Sequence, residues 1–339
     1  MKKLISLLLI FAGIICSASC AGKNGDPGAN TSGEQITSKE PETMEQNAPR
    51  DVIVTNVFGL RDPFVLKSKK VFYMYGTGWS LYATSGEKLD GRWHAASLSI
   101  KDPPDFAGTR WAPEVYEYRG EYYMITTYSS SKTNRHGCAV FRSASPRGEF
   151  VLHSDGHVTP PDWDAIDGTL YIDGEGQPWM IFVHEWVSTD DNIGRMACAK
   201  MSDDLSKFIS EPVELFRATD APWHTQGVTD GPFIHKCADG SLIMLWSNWD
   251  SDGYCVGKAK SPDGSVTGPW IQLEDRLYSK SIDGDYDGGH GMIFEDFDGR
   301  LWLVLHSPNN SSAGRSETPV LIPLKEENND LVRDVTAAG

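Results

Sequence analysis

Three aspartates and a histidine, Asp62, Asp167, Asp230 and His290, each stand at the mouth of an apolar run that reads as a β-hairpin. In VTDGPFIHKCADGSLIMLW, Asp230 precedes Gly231-Pro232, an apolar stretch, a polar turn at Ala238-Asp239-Gly240 and a second apolar stretch. Burying a carboxylate there is costly unless something pairs with it or uses it. Two chemistries use converging acids. One is a cage of oxygen ligands around a metal ion. The other is acid–base catalysis, in which neighbouring carboxyls push their pKa values apart so that one stays ionised and another keeps its proton. Cleaving a glycosidic bond needs that division, a base for water on one face and an acid for the departing oxygen on the other.

The elements that must bring these residues together repeat along the chain. RDPFVLKSKKVFYMYG from Arg61, WAPEVYEYRGEYYMIT from Trp111, IDGTLYIDGEGQPWMIF from Ile166 and GHGMIFEDFDGRLWLVLH from Gly289 share the plan of the Asp230 stretch. Each opens with Gly or Pro beside a polar residue, then runs through a strand, a polar turn and a second strand rich in Met, Trp and Tyr. In register, the lead position holds Asp62, Ala112, Asp167, Asp230 and His290, at intervals of roughly 50–60 residues. Third strands follow in CAVFRSASPRGEF, ACAKMSDDLSKF and YCVGKAKSPDGSVTGPW. Five such repeats predict an all-β chain folded as a five-bladed β-propeller. The first strand of a blade lies innermost, so the lead residues meet on the central axis. One acid at a strand start is ordinarily a turn former; three acids and a histidine in one register point to a shared site.

The second strands return to the same face and end at Trp79, Tyr128, Trp186 and Trp249. Indole rings pack on the apolar faces of sugars while polar edges reach Asp, Asn and His. Trp79, Trp111, Trp186 and Trp249 are therefore candidate substrate contacts, whereas Trp179, Trp246 and Trp302 lie within the runs and read as core. His184 and Glu185 in VHEW, His224 and His306 stand at strand ends or loops near the expected mouth, although a lone histidine is more often structural. Glu114, two residues past a lead position, shares its face by strand alternation; it reads as a substrate contact or, equally, as half of a structural ion pair.

RDPFV followed by YMYGT, WAPEVYEYRGEYYM, IDGTLY, DGPF and GGHGMIF together resemble glycoside hydrolase family 43, over residues 54–323. The resemblance implies a propeller enzyme acting on arabinose- or xylose-containing plant polysaccharides, with an α-L-arabinofuranosidase or related exo-glycosidase as the expected activity. It makes Asp62 the general base, Asp167 the residue that orients the acid and tunes its pKa, and Asp230 the general acid. It places His290 beside a metal ion or water cluster on the axis, with calcium as the candidate ion; the acid–base chemistry needs no cofactor. One departure stands out: the family acid is normally Glu. An acid one methylene shorter withdraws the proton donor by about 1.5 Å, a displacement that can cost about 10²-fold in rate. Three readings stay open. Asp230 remains the acid in a rearranged funnel, Glu185 supplies the proton, or the protein is a non-catalytic carbohydrate-binding lipoprotein. A single displacement with inversion is the mechanism expected of the first two.

The rest of the chain sets the compartment. Residues 1–20 read as a lipoprotein-type signal, with Lys2-Lys3, the apolar run Leu4 to Ile15 and Cys20 in SASCAG as the lipid-attachment site. The usual Leu three places before that cysteine is missing, so plain secretion is the alternative. Residues 21–50 are rich in Gly, Ser, Thr, Glu and Pro and read as a disordered tether, leaving 51–339 for the propeller. The expected location is periplasmic or on the cell surface, with membrane contact only through Cys20. A net charge of −16 on 339 residues argues against nucleic acid, which needs clustered cations. Cys138, Cys198, Cys237 and Cys255 show no zinc-like spacing; Cys237 and Cys255 either pair or stay buried as free thiols.

Overall fold

Two of the inner hairpins close on aspartate by the same device. Asp173 Oδ1 accepts the N–H groups of Glu175 and Gln177, both at 2.9 Å, and its Oδ2 accepts the indole N–H of Trp179 at 2.9 Å. Asp296 repeats the device with Asp298, Arg300 and Trp302. One side chain thus makes the turn and satisfies the polar edge of a buried tryptophan on the returning strand. Trp179, Trp246 and Trp302 are all buried.

The computed structural model describes residues 51–335 apart from 284 and 312–313. The expected signal at 1–20, Cys20 and the tether at 21–50 lie outside the described residues. Five antiparallel sheets follow one another. The first has strands Phe64–Ser68, Val71–Gly76, Ser80–Ala83 and His94–Ala95. The second has Trp111–Tyr118, Glu121–Ser130, Arg135–Ser143 and Val151–Leu152. The third has Ala165–Ile172, Pro178–His184, Arg195–Lys200 and Val213–Arg217, and the fourth Asp230–Lys236, Leu242–Asp250, Gly253–Ser261 and Ile271–Gln272. The fifth has Gly289–Glu295, Leu301–Ser307 and Thr318–Glu327. Its outer edge is shared by Ile53–Val54, paired with Leu321 and Val320, and by Asp330–Arg333. Both ends of the folded body therefore finish the same blade, which covers that edge and closes the ring. Successive inner strands touch all the way round. Among the described residues the α-helix is limited to Lys280–Asp283.

Apolar faces pack between blades. Phe72 of the first meets Phe294 of the fifth at 5.9 Å, and Phe216 of the third meets Trp246 of the fourth at 5.3 Å. The four cysteines among the described residues are buried and free, so the Cys237–Cys255 pairing does not form.

The mouths of four of the five inner strands carry a bulge. Pairing breaks between Trp111 and Glu114, Ile166 and Thr169, Asp230 and Phe233, and Gly289 and Met292. Inside each break sits one residue with left-handed backbone: Ala112 (φ 41°), Asp167 (56°), Gly231 (49°) and His290 (51°), with Asp62 (52°) as the counterpart in the first blade. The lead residue of the fourth blade is thus Gly231, and Asp230 precedes it, in the place held by Trp111, Ile166 and Gly289 in other blades. This corrects the register drawn from sequence by one residue. The hydrogen bonds explain the exception. In the other four blades the lead N–H bonds to a side chain on the neighbouring second strand. Asp62 uses His306 Nδ1 (3.2 Å), Ala112 Thr77 Oγ1 (3.0 Å), Asp167 Thr127 Oγ1 (3.0 Å) and His290 Ser247 Oγ (2.8 Å). The third blade presents Val183 at that point, opposite Ile166. With no acceptor there, Gly231 N–H reaches across to Asp167 Oδ2 at 3.1 Å.

Candidate active site

The converging strand mouths line a cavity of about 450 Å³ whose walls include Asp62, Asp167, Asp230 and His290. His290 Nδ1 lies 3.3 Å from Asp62 Oδ1 and 3.7 Å from Asp167 Oδ2. Asp62 also accepts from the Thr77 hydroxyl, and Asp230 Oδ2 accepts from the Tyr254 hydroxyl at 3.0 Å. Two aspartates more than a hundred positions apart in sequence share one imidazole.

The environment separates the carboxyls. Burial alone would raise Asp62, but His290, His306, Arg61 and the Thr77 hydroxyl outweigh it, and its pKa falls below the usual value. Burial pulls His306 itself down to about 4. It is therefore neutral at pH 7, where it accepts the Asp62 N–H rather than adding charge, and His290, the Arg61 guanidinium and Thr77 hold the carboxylate. Asp230 goes the other way, up to about 7, through burial and then the charge of Asp167. Asp167 is raised by burial and by Asp62, against the pull of His290 and the Gly231 N–H. The site holds an ionised carboxylate and, two blades away around the ring, a carboxyl that keeps its proton near neutrality.

Glu185 lines the same cavity, and its Oε2 stands 3.2 Å from His136 Nδ1. That hydrogen bond raises the His136 pKa. Glu185 is thus engaged with an imidazole, whereas Asp230 is the carboxyl raised to about 7. Trp111, 38% exposed, packs at 4.8 Å on His136, and Trp186 completes that wall.

Five other residues expected near the mouth do not line this cavity. Trp79 donates its indole N–H to Thr126 Oγ1 and lies between Phe106, Phe141 and Arg110. Trp249 packs at 4.5 Å on Tyr254 and so supports the partner of Asp230. Glu114 is buried behind the floor, where Tyr116 donates to it and burial raises it to about 8; its neighbour is Asp167, not solvent. His184 faces a separate pocket. His224 bonds the carbonyl of Ala221 at 2.6 Å.

Arg61, Thr77, Tyr254 and the inward role of His306 are not evident from the sequence. A signal for two of them exists. Thr77, Thr127, Ser247 and His306 are polar residues recurring where apolar second strands reach the axis. Tyr254 has none, because it arrives on a third strand of ordinary composition. Arg61 is held by Glu317 and, at 3.1 Å, by Asn309 Oδ1, contacts from the far end of the chain.

A calcium ion on the axis does not suit these donors. Calcium takes six to eight oxygens, whereas here an imidazole nitrogen fills the space between Asp62 and Asp167 and a hydroxyl holds Asp62. No step is assigned to a metal.

Gly231 is required by this packing. A Cβ there would lie 2.8 Å from the His290 ring. Gly231→Ala is expected to push that ring off Asp62 and Asp167 and to lower kcat by about 10- to 100-fold, measured beside a thermal melt. The charges also set a pH profile. The base must be ionised and the acid protonated, so kcat/KM should fall as pH rises through about 7. Removing the Asp167 charge lowers the Asp230 pKa, so Asp167→Asn should move that alkaline limb toward acid, read from kcat/KM against pH.

Comparison with known proteins gives a consistent picture. Residues 53–329 match the model for Glycosyl hydrolases family 43. An extracellular exo-α-(1→5)-L-arabinofuranosidase of Cellvibrio japonicus is 24% identical over 73% of this chain and 78% of its own length. The crystal structure of an endo-arabinase from Bacteroides thetaiotaomicron superposes with a TM-score of 0.71 at 36% identity, covering 83% of this chain and 98% of that one. A thermostable family-43 glycoside hydrolase, at 23% identity and a TM-score of 0.72, shares the fold over 83% of this chain and 94% of its own.

Proposed function

The chain belongs to glycosyl hydrolases family 43 and is a glycosidase, and on that footing we propose that it hydrolyses α-L-arabinofuranosyl linkages in plant-type arabinan by single displacement with inversion. The observation that carries the mechanism is the opposite displacement of two carboxyls in one cavity, Asp62 down and Asp230 up. Asp62 takes a proton from water as the water oxygen bonds to the anomeric carbon. The bond from that carbon to the leaving oxygen breaks, and Asp230 gives its proton to that oxygen. Asp62 ends protonated and Asp230 ionised, and exchange with solvent restores both. Asp167 serves by its charge, which keeps the Asp230 proton in place, and by holding the Gly231 N–H beside it.

The sugar is inferred from the activities of two relatives, an arabinofuranosidase and an arabinase. Export is inferred from the lysine-led apolar N-terminus and from the extracellular relative, with Cys20 as the lipid anchor. The test is hydrolysis of a panel of nitrophenyl glycosides, arabinan and xylan, with the first-formed anomer followed by proton NMR. Arabinose or arabino-oligosaccharides released first with inverted configuration are expected. Retention of configuration, or release from xylan alone, would overturn the corresponding part.

A further inference from the structure

We propose that a second pocket on the catalytic face, in the third blade, binds a neutral sugar unit of the same glycan chain that passes through the axial cavity; this rests on the arabinan reading. The pocket measures about 430 Å³ and lies against Trp163, His184, Ser188, Thr189, Asp190 and Glu214. It shares a wall with the axial cavity, since Glu185 and Trp186 face the axis while His184, Ser188 and Thr189 face the pocket. That wall is rigid. Glu185 N–H donates to the Asp164 carbonyl at 2.8 Å, Asp164 N–H to Ser188 Oγ at 2.8 Å, and Ser188 N–H to the Glu185 carbonyl at 3.1 Å. A chain leaving the axis beside Trp186 has only this wall to cross.

The chemistry of the pocket selects the ligand. Trp163 and His184 stack at 3.8 Å and 5°, a flat aromatic pair at the pocket wall. His184 is 9% exposed, and its Nε2 has no hydrogen-bond partner among the described residues. That nitrogen is sealed behind the pocket wall, and a turn of the ring toward the pocket would let a ligand hydroxyl satisfy it. Burial lowers the His184 pKa, with Arg195 adding to it, so the ring is neutral. The guanidinium of Arg195 at the pocket is already held by Asp191 and Glu214, each at 2.9 Å. With Asp162, Asp190 and Glu214 around the rim, an anionic sugar is repelled. Among the described residues the groupings with metal-ligand spacing are His136, Asp164 and Glu185 in the shared wall and His235, Cys237 and Glu326, none of them lining the pocket. A neutral polyol that stacks on aromatic faces and brings hydroxyls to carboxylates and an imidazole fits all of these groups.

Calorimetric titration decides the matter in the Asp62→Asn protein, which is expected to hold substrate while turning it over about 10³-fold more slowly. Linear arabino- and xylo-oligosaccharides of two to six units are titrated into this parent, and into the parent carrying His184→Phe or Trp163→Ala. His184→Phe keeps the stacked ring and removes Nε2; melting curves verify that both variants fold. Affinity of the parent is expected to rise with length in the arabino series. His184→Phe should weaken binding of the longest member by about fivefold and leave the dimer unchanged. Loss that is equal at every length, or no loss in either variant, overturns the pocket and leaves the substrate reading intact. A length-dependent loss confined to the xylo series overturns the arabinan reading and keeps the pocket. Binding of neither series by the parent rejects both.

Discussion

Replacing Asp62 by Asn should lower kcat on an arabino-oligosaccharide by about 10³-fold while the dissociation constant stays nearly the same. The amide keeps the shape of the carboxylate and an oxygen for the Thr77 hydroxyl, so the His290–Asp62 neighbourhood is not emptied. What it loses is the capacity to take a proton from water. Since Asp62 is the carboxyl driven below its usual pKa, no nearby group is equally ready to replace it. Asp167 is raised and already receives the Gly231 N–H. Reducing-sugar release gives kcat and calorimetry gives the affinity. A variant that retains a tenth or more of the rate, or one that loses binding in proportion to rate, contradicts the assignment of Asp62 as base.

Asp230→Asn should also cost about 10³-fold on a glycosidic leaving group. The substitution is clean because the working form of Asp230 is the neutral acid, raised to about 7, and asparagine is neutral as well. Tyr254 keeps an oxygen to donate to. The field on Asp62 and Asp167 is thus little altered, and the loss reports the missing proton. Glu185→Gln makes the contrast. It breaks the contact with His136 and should cost about tenfold or less, through the placing of the Trp111 wall, with the pH profile unmoved. Asp230 stands one residue ahead of the left-handed position, so its side chain starts from a different point of the bulge than those of Asp62 and Asp167.

Blade number, blade order and the meeting of remote acids were legible in the sequence because they depend on local alternation and on turn aspartates such as Asp173 and Asp296. The one-residue register of the fourth blade was not. It is decided by the ring of His290, which leaves no room for a Cβ at residue 231, and by Val183 offering no acceptor. Both are contacts between blades. The fates of the tryptophans divide for the same reason. Trp111 and Trp186 reach the cavity, but Trp79 finds Phe106, Phe141 and Arg110, and Trp249 finds Tyr254. Position at a strand end places a ring at the catalytic face; only its neighbours determine whether the ring stays open to a ligand. Glu114 lay on the expected face of its strand, yet the bulge and Tyr116 turn it under the floor.

The most direct test of Asp230 as the proton donor compares two substrates in the Asp230→Asn and Glu185→Gln proteins, one an arabino-oligosaccharide and the other a nitrophenyl arabinofuranoside. The nitrophenolate departs without needing a proton. Asp230→Asn should therefore recover most of its lost rate on the nitrophenyl substrate, while Glu185→Gln is slowed by the same small factor on both. If Glu185→Gln is instead the variant rescued by the better leaving group, and Asp230→Asn is impaired equally on the two substrates, the proton comes from Glu185 and Asp230 is not the acid.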